Sequence, residues 1–230
     1  MAAKYLGKTF DIHGGGLENI FPHNECEIAQ AETYNDAPYA NYWVLVGSLT
    51  VEGVKMSKSL GNFITIKDAL KRYSPEALRY FILSSHYRGP VDIGQDQDAL
   101  AAAQRGVDRL HNTVHHLRLR LGDISPMNVE EEPHDVRSVE AYRAAFCEAM
   151  DDDFNTPQAL AVLFDFVKDV NRYLDQSTEP EVATLSAMDQ LFRDLGGRTL
   201  GIIPETLESR VDGGLVEGLL DIVVALREEY

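Results

Sequence analysis

From residue 75 onward the apolar residues fall into step with the α-helix, and a sheet cannot use that spacing. Leu100, Ala103, Val107, Leu110, Val114, Leu117 and Leu121 recur at steps of three and four, one stripe along one long helix. Val139, Tyr142, Phe146 and Ala149 repeat the step. So do Leu160, Leu163, Phe164, Val167, Val170 and Leu174, then Leu185, Met188, Phe192 and Leu195, and finally Leu215, Leu219, Ile222 and Leu226. Ser74-Pro75 is an N-cap followed by proline at the first helical position, and Thr156-Pro157 reads as a second helix start. Residues 122–133 read as a linker. A helix with one apolar stripe must bury it, and several joined by short polar connections are expected to close into an antiparallel bundle.

The first sixty residues follow a different rule. Phe10-Asp11-Ile12 reads as a strand running into His13-Gly14-Gly15-Gly16, and the Glu- and Ala-rich stretch after it as a helix to about Glu32. Tyr42 to Val46 and Ser48 to Val51 read as two more strands, with a turn at Glu52-Gly53. Strand, glycine loop, helix, strand is the grammar of a nucleotide-binding α/β domain. The expected organisation is therefore an α/β part over 1–62, a connecting region over 63–97 and an all-helical bundle over 98–230.

Composition excludes some classes. No apolar run approaches the roughly 20 residues of a bilayer span, and the start lacks the pattern of a signal peptide. With two cysteines, Cys26 and Cys147, there is no disulfide framework, which fits a reducing cytoplasm. The net charge of −16 argues against nucleic acid until its distribution is read. Residues 1–120 carry 13 Lys/Arg and 13 Asp/Glu, whereas 121–230 carry 8 against 24. Within the neutral part, Arg105, Arg109, His111, His115, His116, Arg118 and Arg120 crowd one stretch with Asp108 as its only acid. That stretch is either a phosphate-contacting face or an ordinary solvated helix flank.

Three clusters carry chemistry. Lys55-Met56-Ser57-Lys58-Ser59-Leu60-Gly61-Asn62 places two lysines three apart on a small-residue loop, able to close on a polyphosphate and neutralise charge on a departing pyrophosphate. His13-Gly14-Gly15-Gly16 after a strand is either a tight turn or a nucleotide's approach to backbone. His23 and Glu27, four apart, face the same way on a helix and could offer zinc an imidazole and a carboxylate, or form a solvated ion pair. Asp151-Asp152-Asp153 is not a calcium loop, since Thr156 and Val162 stand where such a loop needs Gly and Glu. It reads as an acidic turn complementing the dipole of the next helix.

Taken together, these blocks resemble the cysteinyl-tRNA synthetase family of class I aminoacyl-tRNA synthetases, whose pattern runs HGGGxDLxFPHHENExAQ, WxHxG, KMSKSLGN. The matching stretches are 13–30, 43–47 and 55–62, followed by Glu76-Ala77-Leu78-Arg79-Tyr80-Phe81, similar to the family's DALR motif, and by 150–157. The resemblance implies the C-terminal part of a Rossmann-type catalytic domain followed by a DALR-type, anticodon-binding helical domain. It implies Lys58 as the catalytic lysine assisted by Lys55. ATP, with Mg2+, would contact Lys58, Lys55, Ser57, His13, Gly14, Gly15 and Gly16, and the substrate's amino group Glu18. Zn2+ would be held by His23, Glu27 and two family cysteines, selecting a thiolate over a hydroxyl. Those cysteines and the HIGH motif are expected upstream of Met1, so this chain by itself is expected to be inactive and to hold zinc weakly or not at all.

The implied partners are L-cysteine, ATP and tRNA(Cys), with Arg105, Arg109, Arg118 and Arg120 as tRNA contacts and no membrane. The intact enzyme is implied to be a monomer, while the exposed edge of an incomplete sheet is expected to favour self-association here. A cysteine ligase of the mycothiol pathway and a non-catalytic tRNA-binding module are the rival readings. Four positions depart from the family pattern. Glu18 stands for Asp, Asn24 for the second histidine, Cys26 for asparagine (expected as an inert buried thiol) and Leu45 for the histidine of WxHxG.

Overall fold

The computed structural model describes residues 2–94, 97–123, 136–178 and 180–207. Most of the expected linker at 122–133 and the whole stripe from Leu215 to Leu226 lie outside the described residues. After a short helix α1 (Ala2–Leu6), strand β1 (Phe10–Gly16) and strand β2 (Ala40–Val46) pair in parallel, with His13 opposite Trp43 and Gly16 opposite Val46. Helix α2 (Glu25–Asn35) forms the crossover that a parallel pair requires.

The helix expected to run from the glycines to Glu32 is shorter at its start. Residues 17–24 form a 3-10 turn and a π-type turn, and Phe21 is extended at φ −128°, ψ 132°. Pro22 is the cause, because its ring excludes the preceding residue from the helical region.

A second sheet orders its strands β4-β3-β5, from β3 (Leu49–Val51), β4 (Val54–Lys55) and β5 (Val91–Asp92). The β3–β4 turn has φ 52° at Glu52 and 73° at Gly53, the paired positive values of a tight two-residue hairpin. Asp92 staples this hairpin: one carboxylate oxygen accepts from the Thr50 hydroxyl at 2.5 Å and the Gly53 amide at 2.6 Å, the other from the Gly94 amide at 2.7 Å. Helices α3 (Ile66–Ala69) and α4 (Pro75–Leu83) follow, and the Ser74 hydroxyl accepts the Ala77 amide at 3.2 Å, the expected cap.

Four longer helices close the bundle: α5 (Asp98–Asp123), α6 (Val136–Asp151), α7 (Thr156–Gln176) and α8 (Val182–Phe192). Two cores share α5. Leu100, Ala103 and Val107 pack with Ala77, Phe81 and Ile93, whereas Leu110, Val114 and Leu117 pack with α6, α7 and α8. Each of the larger side chains among these, Leu, Val, Ile or Phe, contributes roughly 1.5–3 kcal/mol when taken from water, before chain entropy is counted. On α7 the stripe needs a correction. Phe166 is the buried phenylalanine at 2% exposure, while Phe164 lies half-buried at the rim. The start of α7 differs too, since its cap is the Asn155 side chain, accepting the Gln158 amide at 3.2 Å. The Thr156 hydroxyl instead donates to the Leu83 carbonyl at 2.8 Å.

Candidate functional site

The β3–β4 hairpin delivers the lysine loop. The Met56 amide donates to the Leu49 carbonyl at 3.0 Å, and its side chain packs against the α4–α5 core. Lys58 opens a single 3-10 turn, Lys58–Leu60. Gly61, at φ 71°, then turns the chain back so that Asn62 reaches across the loop. The Asn62 Oδ1 accepts the Ser57 amide at 2.9 Å, and its Nδ2 donates to the Lys55 carbonyl at 3.3 Å. One side-chain amide thus closes both sides of Met56, and the Ser57 and Ser59 hydroxyls lie 3.2 Å apart. Sequence reasoning named Asn62 only as part of the motif, although an amide after a glycine is a recognisable loop-closing signal.

The glycine strand faces this loop through Glu18. Its carboxylate folds over Gly16, where a Cβ would collide with it, and Lys55 Nζ reaches its Oε1 at 3.0 Å. The Glu18 carboxyl is held below the usual range, first by its own backbone amide and then by the Lys55 hydrogen bond. The residues expected to meet the substrate's amino group and the phosphates therefore lie side by side. Gly14 and Gly15 line the same strand, opposite Val44 and Leu45 on β2. The His13 ring lies 4.4 Å from the Trp43 ring and 5.4 Å from Tyr39, centroid to centroid.

The expected His23–Glu27 pairing is replaced. Glu27 Oε2 lies 3.1 Å from His13 Nε2, an imidazole supplied by the neighbouring strand, while His23 stands exposed in the π-type turn. Among the described residues no group of three or more His, Cys, Asp or Glu side chains is placed to hold a metal ion. Two residues do not make the tetrahedral site zinc requires, so His23 and Glu27 by themselves do not fit that ion. Cys26, expected to be buried, is exposed on α2, and Asn24 is the buried neighbour at 6% exposure.

The basic stretch divides on α5. At 3.6 residues per turn Arg105, Arg109, His116 and Arg120 fall within about 60° of one another, and all four are exposed. Arg118 lies roughly 140° around the helix from Arg105. Its Nε donates to the nearly buried Asp189 at 2.7 Å and its Nη1 to the Glu205 carbonyl at 3.1 Å. That geometry makes Arg118 a bundle residue, whereas the other three arginines form a stripe. His111 likewise turns to the Ile202 carbonyl at 2.7 Å. Sequence reasoning missed Lys168 and Arg172 on α7, which with Arg109 and Asn171 line a groove of about 460 Å3. Their companions Asp165 and Asp169 pair with them at 2.7 and 2.8 Å, which masks them in a charge count.

Comparison with known proteins gives the following. Residues 1–105 match the model of the class I (C) tRNA synthetase catalytic domain, and residues 145–204 match the DALR domain. The chain is 43% identical over its full length to the cysteine–tRNA ligase of Moorella thermoacetica and covers 48% of that protein. It is 45% identical to the cysteine–tRNA ligase of Desulforudis audaxviator, again over its full length and covering 49% of it. The chain thus spans about half the length of the curated relatives it matches. Among solved structures it resembles a LeuRS–tRNA–LeuAMS ternary complex from Agrobacterium radiobacter, with TM-score 0.61, 18% identity, and 81% of this chain and 25% of that one covered. It also resembles Mycobacterium tuberculosis methionyl-tRNA synthetase in complex with methionyl-adenylate, at TM-score 0.59 and 17% identity, covering 85% and 42%. At those identities the likeness is one of fold.

Proposed function

The chain belongs to the cysteine branch of the class I tRNA synthetases, with a catalytic-domain part over 1–105 and a DALR domain over 145–204, and from that premise we propose its chemistry. It supplies the lysine loop, the glycine strand and the helical domain of an enzyme that ligates cysteine to tRNA(Cys). In the first step the cysteine carboxylate attacks the α-phosphorus of ATP and pyrophosphate leaves. In the second, a 3′-terminal hydroxyl of the tRNA attacks the carbonyl carbon of the adenylate and AMP leaves. Lys58 and Lys55 neutralise the departing pyrophosphate, while Ser57 and the His13–Gly16 strand border the nucleotide. Glu18 receives the amino group of cysteine. The observation that carries this reading is the Lys55–Glu18 contact at 3.0 Å, which supports a phosphate side and an amino-acid side that adjoin.

Arg105, Arg109 and Arg120 are proposed tRNA contacts, and the DALR match favours a tRNA acceptor over the amino sugar of a mycothiol ligase. Magnesium accompanies the ATP. When bound, zinc would supply a Lewis acid for the substrate thiolate, with His23 and Glu27 as this chain's share of its ligands and the remaining ligands lying outside it. The proposed location is the cytoplasm. No described helix is long and apolar enough to cross a membrane.

Cysteine-dependent ATP–pyrophosphate exchange tests the proposal. This chain should be inactive by itself and gain activity when the other half of a relative is supplied in trans. Lys58→Ala should then slow exchange at saturating ATP by about 100-fold or more, because its charge acts in the transition state. A near-normal rate removes Lys58 from the mechanism, and no exchange in the unsubstituted assembly removes the proposed function.

A further inference from the structure

The acidic run before α7 does something other than complement a helix dipole. Asn155 performs the capping, and the Asp153 carboxylate points away from α7 toward residues 86–88. Its Oδ1 accepts the Tyr87 hydroxyl at 2.6 Å and Arg88 Nη2 at 3.0 Å, and its Oδ2 accepts Arg88 Nε at 2.6 Å. His86 Nε2 lies 3.8 Å from Oδ2, stacked on the Tyr87 ring. Both oxygens of this carboxylate accept hydrogen bonds, from residues about 65 positions away in the chain.

The backbone there is strained. Asp153 and Phe154 both have φ 54°, the left-handed region that a bulky residue enters rarely and at a cost. Burial does not offset that cost at Phe154, whose surface is 59% exposed. What the conformation does achieve is to aim the Asp153 carboxylate at Tyr87 and Arg88. The far side of the 86–89 segment is held with equal closeness. The Gly47 amide, at the end of β2, donates to the Tyr87 carbonyl at 2.7 Å, and a Cβ on Gly47 would collide with the Gly89 carbonyl. Residues 86–89 are thus clamped between the end of a catalytic-sheet strand and the turn that opens the DALR helix α7.

We propose that Asp153, through Arg88 and Tyr87, is a positioning residue that fixes the orientation of the helical bundle against the β1–β2 unit. Building on the proposed function, it serves the tRNA-dependent transfer step and not adenylate formation. The bundle that grips tRNA must present the 3′ end to the loop at a set angle, while ATP and cysteine meet between the β1 glycines and the lysine loop, which Lys55 and Glu18 hold together at 3.0 Å without Asp153.

The protein carries its own reporters, because Cys26 on α2 and Cys147 on α6 are both exposed and free. Spin labels at these two positions read the distance between the two units. Asp153→Gly deletes the carboxylate while relieving the positive-φ strain, so folding is preserved. Asp153→Asn retains an acceptor for Tyr87 and loses the charge. The unsubstituted chain should give one narrow distance, Asp153→Gly a broadened distribution, and Asp153→Asn an intermediate one. In the complemented assembly, Asp153→Gly should lower kcat/KM for tRNA charging by about tenfold or more, with pyrophosphate exchange within about twofold. An unchanged distance distribution in Asp153→Gly overturns the proposal, and so does an equal fall in charging and exchange. If the unsubstituted assembly shows no exchange, the proposed function fails, and the label distances alone decide the joint.

Discussion

Asn62 closes its loop with the two ends of one amide, an acceptor toward Ser57 and a donor toward Lys55. Neutral hydrogen bonds of this kind contribute about 1 kcal/mol each, enough to set the population of a surface loop. Asn62→Ala should therefore speed hydrogen exchange at the Ser57 amide several-fold, and Asn62→Asp, which keeps the acceptor, should lie between. Exchange at Ser57 unchanged in the alanine variant would show that the loop is held by Met56 alone. Asp153 offers a second measurement at this scale. Its carboxyl is lowered to about 2 from the usual 3.8, first by the Arg88 hydrogen bond and then by Tyr87. A group depressed on folding contributes stability that is complete above its unfolded value and is lost as pH falls through its folded value. The joint should hold at pH 5 and open as pH falls toward 2, and carboxyl NMR should follow the titration. Arg88→Ala should move the midpoint up toward the ordinary value, and a midpoint near 4 in the unsubstituted chain would sink the assignment. The sequence named Lys55, Glu18 and the glycines as candidates, and the structure brings Lys55 against Glu18 beside Gly16 from β4, the 3-10 turn and β1. Sequence spacing offered Glu27 to His23, because a helical rule sees only neighbours on the helix, and the contact it could not show is the one to His13, which arrives from a strand.

At the level of elements, the helical stripes were the most legible feature, since burial enforces their period wherever a helix meets a core. Val107, Leu110, Val114 and Leu117 are fully buried along one face of α5, as the spacing predicts. Less legible was anything governed by a contact across elements. Phe164 rather than Phe166 looked like core, yet Phe164 lies under the Arg109 guanidinium, 4.8 Å from its ring centre, and against Tyr80. Residues 17–24 looked helical by composition, yet Pro22 forced two irregular turns. The basic stretch of α5 looked like one patch until the helix was wound, which separates Arg118 from the stripe of Arg105, Arg109 and Arg120. That separation can be measured through salt dependence, because each phosphate contact releases counterions. Replacing Arg105, Arg109 and Arg120 with Ala should weaken tRNA binding and flatten the slope of log affinity against log salt by roughly two to three units. Arg118→Ala should instead lower the melting temperature, because it strips Asp189 of one of its two arginine partners, and should leave the slope unchanged. A slope that Arg118→Ala flattens as much as the stripe variant does would return Arg118 to the interface.

For the molecule as a whole, fold class was readable because two periodicities occupy separate stretches, and what a single sequence could not show is how the two parts meet. Ile12 and Tyr42 on β1 and β2 are 62% and 69% exposed, an apolar surface that parallel sheets ordinarily cover. The parts meet at the Asp153 joint and along α5, whose single stripe enters one core at Leu100 and leaves the other beyond Leu117. A helix that serves two cores must keep their phase. One alanine inserted between Val107 and Leu110 would turn the lower half of the stripe by about 100° and bury polar residues in the bundle. A seven-residue insertion would restore the phase to within about 20° but push the bundle some 10 Å along the axis. The stripe would then pack again, yet Arg88 could no longer reach Asp153. The first insertion should lower the melting temperature sharply. The second should recover much of it while the Cys26–Cys147 distance lengthens. Rotation is policed by the cores and translation by the Asp153 carboxylate together with the Thr156–Leu83 hydrogen bond, so α5 behaves as a gauge block whose length is as closely specified as any side chain on the loop it serves.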